Sequence, residues 1–487
     1  MMRRASRIIL LAASAAALGG CMVGPDYVRP AADSPAAYRE TPPIDWKMAE
    51  PRDEAKRGEW WAVFGDTQLN ALVEQVDISN QNVRTAEAQF RQARAVAAAS
   101  RASLFPTVDA DASIIRSRSA GGVLGGTTAG SITTNRTAGL VTNWDADVWG
   151  RLRRGVESSD AGAQASAADL ESARLSAQAE LATNYFLLRV LDIQKQLLDN
   201  SVAAFQKSLD LTRNRYAAGV AGKVDVAQAE TQLRSTQAQA LDTGVQRAQL
   251  EHAIALLIGK APAALSLPPA PLQAVMPAIP FGVPSELLER RSDIAAAERR
   301  VAAANAQIGV AQSAFFPSLT LSGTFGSRAT DPAPWFTSAS RFWSIGPIIT
   351  QSIFDAGLRR AQSDQAIAAY DATVSEYRQT VLNGFKEVED NLAALRILEE
   401  EAKIQDEAVR AARESTTLTI NQYKAGIVSY LNVAIVQTAQ LNNERTAAGL
   451  LGQRLSAAVA LVKALGGGWS ASELPSRDQL RERTGQR

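Results

Sequence analysis

The chain of 487 residues is 46% hydrophobic, enough for a large folded body, and its 51 Lys and Arg offset 50 Asp and Glu to a formal charge of +1. No basic field is available to draw nucleic acid, so no nucleic-acid partner is expected. One His (His252) and one Cys (Cys21) exclude a Cys/His zinc site, a His-based triad and an internal disulfide, and no metal, cofactor or enzymatic activity is expected.

The chain opens with Arg3, Arg4 and Arg7, an apolar run from Ile8 to Leu18, and Gly19-Gly20 before Cys21. Residues 1–20 therefore read as an export signal removed on maturation. Leu18-Gly19-Gly20-Cys21 resembles a lipobox, which would make Cys21 the lipidated first residue of the mature chain; the alternative is an ordinary signal with a stray Cys. Residues 21–66 are expected to form an N-terminal lipid-anchored segment. After the signal no stretch approaches the ~20 apolar residues of a spanning helix, so any bilayer crossing must use β-strands.

From residue 67 the chain is duplicated with a period of a little over 200 residues. Ala86-Glu87 and Phe105-Pro106 recur as Ala297-Glu298 and Phe316-Pro317, Trp149-Gly150-Arg151-Leu152-Arg153-Arg154 finds a counterpart in Phe354-Asp355-Ala356-Gly357-Leu358-Arg359-Arg360 with a one-residue gap, and Tyr216-Ala217-Ala218-Gly219 in Tyr423-Lys424-Ala425-Gly426. The first repeat is placed at 67–283, the second at 284–466, and a C-terminal tail at 467–487. Runs of Ala, Gln, Glu, Arg and Leu without interior Pro predict helices at about 67–103, 156–218 and 223–258, then at 286–314, 357–424 and 429–465. The longest extend ~90 Å at 1.5 Å per residue. A narrow stripe of Leu175, Leu181, Tyr185, Leu188 and Leu191 suits coiled-coil-like packing of helices with wet outer faces; a solid bundle is the alternative.

Each Phe-Pro ends a helix and opens a segment of period-two alternation. Strands are expected at about 106–116, 136–149, 317–326 and 342–354, with Pro347 interrupting the last. Their apolar face would meet lipid, and a face carrying Asp109, Asp111, Asp145 and Asp147 would line water; two soluble hairpins with one buried face are the alternative. Four strands cannot close a barrel, whereas twelve from a cyclic trimer enclose an open bore. The expected class is thus an α+β membrane protein with duplicated halves, a long helical periplasmic barrel and four transmembrane strands per chain. Helix lengths put the turns at residues 219–222 and at Gly426 at the end farthest from the strands.

Across essentially the whole mature chain the residues resemble the TolC-like outer-membrane efflux factors, in particular the NodT-type lipoprotein branch. The resemblance rests on Cys21-Met22-Val23-Gly24-Pro25-Asp26-Tyr27, on Trp60-Trp61, Phe64, Asp66 and Leu69, and on the block VPSELLERRSDIAAAERRVAAANAQIGVAQSAFFPSLTL from Val283 to Leu321, with Ser292 where Pro is usual. It implies a homotrimer with a twelve-stranded barrel and a twelve-helix tunnel, anchored to outer-membrane lipid and extending into the periplasm. It also implies a periplasmic adaptor protein and an inner-membrane resistance-nodulation-division pump as partners, and export of antibiotics and other amphiphiles. Alternatives are a same-fold exporter of a protein or metal ion, or a non-conducting structural lipoprotein.

By the same resemblance, Tyr216, Gly219, Asp225, Tyr423, Gly426, Tyr430, Asn432 and Ile435 form the periplasmic tip and gate. Asp225 matches an acidic gate position, though an acid in a first helical turn also has a capping role. Val428 stands where some members carry a linking Arg, and Asn432 and Ile435 where others carry Asp, so closure is expected to rest on hydrogen bonds and apolar packing by Tyr430, Asn432 and Ile435.

Overall fold

The computed structural model describes residues 22–40, 59–118, 132–277, 279 and 284–481. The export signal and Cys21 lie outside the described residues. The principal elements are α1 (Thr67–Ser79), α2 (Gln81–Ala102), β1 (Thr107–Arg118), β2 (Ile132–Asp145), α3 (Arg151–Ala217) and α4 (Lys223–Leu257), followed by α5 (Ser292–Ser313), β3 (Ser318–Ala329), β4 (Arg341–Thr350), α6 (Leu358–Lys424) and α7 (Tyr430–Ala464). The duplication survives as matched lengths: α2 and α5 have 22 residues each, α3 and α6 have 67, and α4 and α7 have 35. A 67-residue helix is ~100 Å long.

The helix expected over 67–103 is broken. Asn80 leaves the helical region and its Oδ1 accepts from the backbone N–H of Asn82 (2.9 Å) and Val83 (3.1 Å), capping α2. Its Nδ2 donates to the carbonyl of Leu257 at 2.7 Å, so the end of α4 meets the start of α2. The second repeat repeats the joint with another side chain: Arg291 precedes α5 and donates to the carbonyl of Ala464 at the end of α7 (3.1 Å). In each half two shorter helices thus stack end to end beside the long one, and the helix expected from 286 also breaks at Arg291.

The strands form one antiparallel sheet in the order β1-β2-β3-β4. Registration sorts its faces. Ala110, Leu140, Phe325 and Trp343 stand opposite one another across all four strands, and Trp144, Leu321 and Pro347 make a further row of the same face. The other face carries Asp109, Val141, Thr324 and Ser344, with the Thr324 and Ser344 hydroxyls 2.7 Å apart. Pro347 lies within β4, the last strand of the chain's own sheet, opposite Leu321. β2 starts earlier and stops earlier than the sequence suggested, because Asp147 enters the left-handed region (φ 45°) and turns the chain into α3. The Asp147 carboxylate accepts from the N–H of Leu152 (2.8 Å) and Arg153 (2.9 Å). Asp355 plays the same part before α6, ending the fourth strand at Thr350, short of the expected 354.

The main apolar core lies midway along the helices, where Trp60, Trp61, Phe64 and Leu69 pack on Leu181, Tyr185, Phe186 and Leu188 of α3. Asp66 caps α1 and accepts from the Tyr185 hydroxyl at 2.8 Å. No helix among the described residues is long and apolar enough to cross a membrane.

The start of the described chain is a strap across the helices. Val23 donates to the carbonyl of Trp149 (3.1 Å), and Arg154, 1% exposed, donates to the carbonyls of Val23 (3.2 Å) and Gly24 (3.1 Å) and to the carboxylates of Asp26 and Glu157 (2.9 Å each). Farther along, the backbone N–H groups of Arg39 and Glu40 donate to Glu389 (2.7 and 2.9 Å), and Arg396 pairs with Glu40 at 2.8 Å.

Candidate functional site: the tip of the helical body

α3 and α6 end far from the sheet, and each turns through a glycine with positive φ, Gly219 at 74° and Gly426 at 77°. Glycine enters this region without steric penalty, which is why both turns use it. A separate apolar cluster holds the tip together: Leu198, Phe205 and Leu209 of α3, Ala229 and Leu233 of α4, and Tyr423, Tyr430 and Val433 of the second repeat.

Tyr423 and Tyr430 are the centre of it. They are 3% and 0% exposed, and their rings meet edge-on with centroids 5.9 Å apart. The Tyr423 hydroxyl lies 3.0 Å from Thr212 Oγ1, and the Tyr430 hydroxyl donates to Gln232 Oε1 at 3.2 Å. Both contacts join the second repeat to the first. Burial, with a smaller contribution from Tyr423, pushes the Tyr430 phenol up to about 12, so it stays a neutral donor.

Arg215 closes the arrangement. Its guanidinium stacks over the Tyr423 ring at 4.6 Å and donates to the carbonyls of Tyr423 (2.5 Å) and Lys424 (3.4 Å) at the end of α6. A cation at a helix C-terminus is stabilised by the unpaired carbonyls there. The sequence reading missed Arg215 and Thr212: an Arg in the last turn of a helix is common, and its partner is some two hundred residues away. The one available signal is that Arg215 directly precedes the repeated Tyr216.

Other expected tip residues are placed differently. Tyr216 is 48% exposed, although its counterpart Tyr423 is buried. Asp225 accepts from the N–H of Gly222 at 3.1 Å, capping its own helix. Asn432 is exposed, and Ile435, also exposed, lines an open groove of about 730 Å³ between α4 and α7 with Val224, Gln228, Thr231, Ala434 and Thr438. Val428 packs on the tip cluster.

Two polar regions lie away from the tip. A cavity of about 260 Å³ near mid-height is lined by Trp60, Asp77, Glu171, Arg174, Gln178 and Trp469. Burial raises both Asp77 and Glu171 above the usual carboxylate range, against the opposing charge of Arg174. At the inner end of the sheet Asp145 pairs with Arg151 (2.7 Å) and Asp147 with Arg153 (3.2 Å), which leaves Asp109 and Asp111 as the exposed acids of the polar face. Among the described residues no group of acids, His or Cys could hold a metal ion.

Residues 72–260 and 283–467, the two repeats, match the family described as outer membrane efflux protein. The chain is an outer membrane efflux protein. This efflux protein is 32% identical to the toluene efflux pump outer membrane protein TtgC of Pseudomonas putida over 467 residues, covering 95% of this chain and 96% of that one. It is 28% identical to the cation efflux system protein CusC of Escherichia coli, covering 93% and 97%. Among solved structures, the outer-membrane channel OprN superposes with a TM-score of 0.85 at 33% identity, over 92% of this chain and all of that one. The efflux protein is therefore a channel of the outer membrane whose helices extend into the periplasm, which sets aside the solid bundle, the soluble hairpins and the non-conducting spacer.

Proposed function

We propose that three copies of the chain close into one passive duct, with the four-stranded sheets joined into a twelve-stranded barrel and the long helices forming a twelve-helix tunnel. The observation that carries this reading is the sheet, which has two unpaired edges, β1 and β4, and one apolar face across four strands. Such a sheet has no stable existence alone in lipid, where open edges leave backbone groups unsatisfied. A periplasmic adaptor and an inner-membrane resistance-nodulation-division pump would engage the tip and supply the energy; the chain itself supplies passage and no catalysis. Cys21 is proposed as the lipidated residue of the mature chain.

The cargo class is proposed to be small amphiphiles such as antibiotics. One relative bears the name of a toluene efflux pump and another that of a cation efflux system, so this fold accommodates different cargoes. The absence of Met- or His-rich tracts, with five Met in all, favours amphiphiles over soft metal ions. At the tip, Tyr423, Tyr430 and Arg215 are proposed to hold the closed state. The local cap made by Asp225 favours a structural role for that residue, and unchanged conductance of Asp225→Ala is the expected result.

The deciding experiment measures accumulation of a fluorescent amphiphilic dye in cells with and without the gene, pump intact, beside the mass of the detergent-solubilised protein. Raised accumulation on deletion, restored by re-expression, and a threefold mass are expected. Unchanged accumulation with no paralogue to substitute would overturn the cargo assignment, and a single-chain mass would overturn the trimer.

A further inference from the structure

Beyond the row of Ala110, Leu140, Phe325 and Trp343 the apolar face of the sheet changes character. Strand alternation puts Arg116 and Arg118 of β1, Arg136 of β2 and Arg341 of β4 on this same face, all outward of that row. Arg116, Arg118 and Arg341 are exposed; Arg136 is half-buried and donates to the carbonyl of Thr330. Residues 112–140 and 326–345 contain five Arg, no Lys and a single acid, Asp331. The fifth, Arg328, lies on the opposite face, over the ring of Phe342 at 5.0 Å. The inner row of Trp144, Leu321 and Pro347 has no such charge beside it.

Height explains the position. Arg116 is paired with Thr134, ten residues outward of Trp144 along β2, or ~33 Å at 3.3 Å per residue. Strand tilt of ~40° reduces this to ~25 Å across the membrane, the height of the apolar band on outer-membrane barrels. Guanidinium groups are strongly disfavoured at mid-membrane on a lipid-facing surface and tolerated at its edge. By the same ruler Arg118, paired with Ile132, lies farther out and Arg136 lies eight residues from Trp144, whereas Arg341, reached through Ser327 and Ala138, is only six residues out. Arg116 and Arg118, with Arg136 beside them, therefore stand at the level of the outer-leaflet headgroups and Arg341 lies below it. That leaflet in an outer membrane is built of glycolipid whose sugars carry phosphates, and a fork of guanidinium donors recognises phosphate in two-point fashion where Lys would serve only as a point charge. Arg116 and Arg118 follow one another on one face, with Arg136 on the adjoining strand beside them, so several donors converge on one region.

We propose that Arg116, Arg118 and Arg136 form a binding surface for the phosphorylated glycolipid of the outer leaflet, fixing the height of the barrel in the membrane. The proposal rests on the apolar face of the sheet meeting lipid. It is tested with the full-length trimer in detergent by native mass spectrometry, titrating bisphosphorylated lipid A, the same lipid with both phosphates removed, and phosphatidylglycerol. The comparison variant is Arg116→Gln, Arg118→Gln, which removes the charge while keeping a polar side chain and leaves the helical body untouched. Wild type is expected to retain lipid A at least tenfold more tightly than either other lipid, and the variant to lose that preference. Equal retention by variant and wild type, equal retention of dephosphorylated lipid, or full competition by phosphatidylglycerol would each overturn the proposal. The mass read in the same spectra separates the two layers of inference: a variant of threefold mass that binds lipid A normally sinks the glycolipid site alone, whereas a single-chain mass in wild type sinks the barrel reading beneath it. Should the double variant not assemble, Arg118→Gln at the strand end gives the same comparison with a smaller expected change.

Discussion

At the residue scale the most consequential side chain outside the tip is Arg154, a charge withdrawn from water whose partners are almost all in the strap. Its ion pair with Asp26 is weak in principle, because the Asp26 side chain is 94% exposed and the medium around it is water. Its bonds to the carbonyls of Val23 and Gly24 are the firmer ones, since hydrogen bonds from a charged donor contribute about 1.5–3 kcal/mol each. Arg154→Gln is therefore expected to weaken strap docking by about 3 kcal/mol, and Asp26→Asn by less than about 0.5 kcal/mol. Protease cleavage near Val28, which is 75% exposed, reports undocking; cleavage raised equally above wild type in the two variants would show that the ion pair, and not the backbone bonds, holds the strap. None of this was legible in the sequence, where Arg153 and Arg154 form one basic pair and only packing distinguishes the half-buried member from the buried one.

The element scale was the most legible, because helix propensity summed over sixty residues and a repeated pattern point the same way. Breaks were not legible: Asn80 and Arg291 end helices by bonding to carbonyls at the ends of α4 and α7, partners that only the stacked arrangement brings near. The tip shows the same limit. The two glycine turns and Tyr423 could be read from the repeat and Tyr430 from the family resemblance, but the Arg215–Tyr423 stack joins the end of α3 to the end of α6 and has no sequence-local signature. Arg215 contributes a cation–π contact of about 0.5–2 kcal/mol and bonds to two C-terminal carbonyls, while Tyr423→Phe would remove only one hydroxyl contact of about 1 kcal/mol. If this cluster holds the tip closed, Arg215→Gln should raise the open fraction in bilayer recordings and sensitise cells to a large hydrophilic antibiotic more than Tyr423→Phe does. Identical leak in both variants and wild type would move the gate elsewhere.

For the whole molecule, an open four-stranded sheet and a helical body about 100 Å long make sense together only as one sector of a duct, and the charge inside such a duct then sets which ions pass. Of the four aspartates that the sequence puts on a water-lining face, Asp145 and Asp147 are engaged by Arg151 and Arg153 and by the turn into α3. Asp109 and Asp111 remain, exposed on the polar face beside Val141, Gly139 and Thr324. In a threefold ring they would recur at one level of the bore, close enough for their fields to overlap at low salt, where the screening length is ~30 Å at 0.01 M against ~3 Å at 1 M. The reconstituted channel is accordingly expected to prefer K⁺ over Cl⁻ in dilute salt, to lose most of the preference at 1 M, and to lose it in dilute salt when Asp109→Asn and Asp111→Asn are combined. Asp145→Asn should change selectivity little, since its charge is already offset by Arg151, 2.7 Å away. Reversal potentials under a salt gradient measure all of these. A double variant as cation-selective as wild type would place the selective charge in the helical tunnel, leaving the strand aspartates to keep a water-facing surface wet.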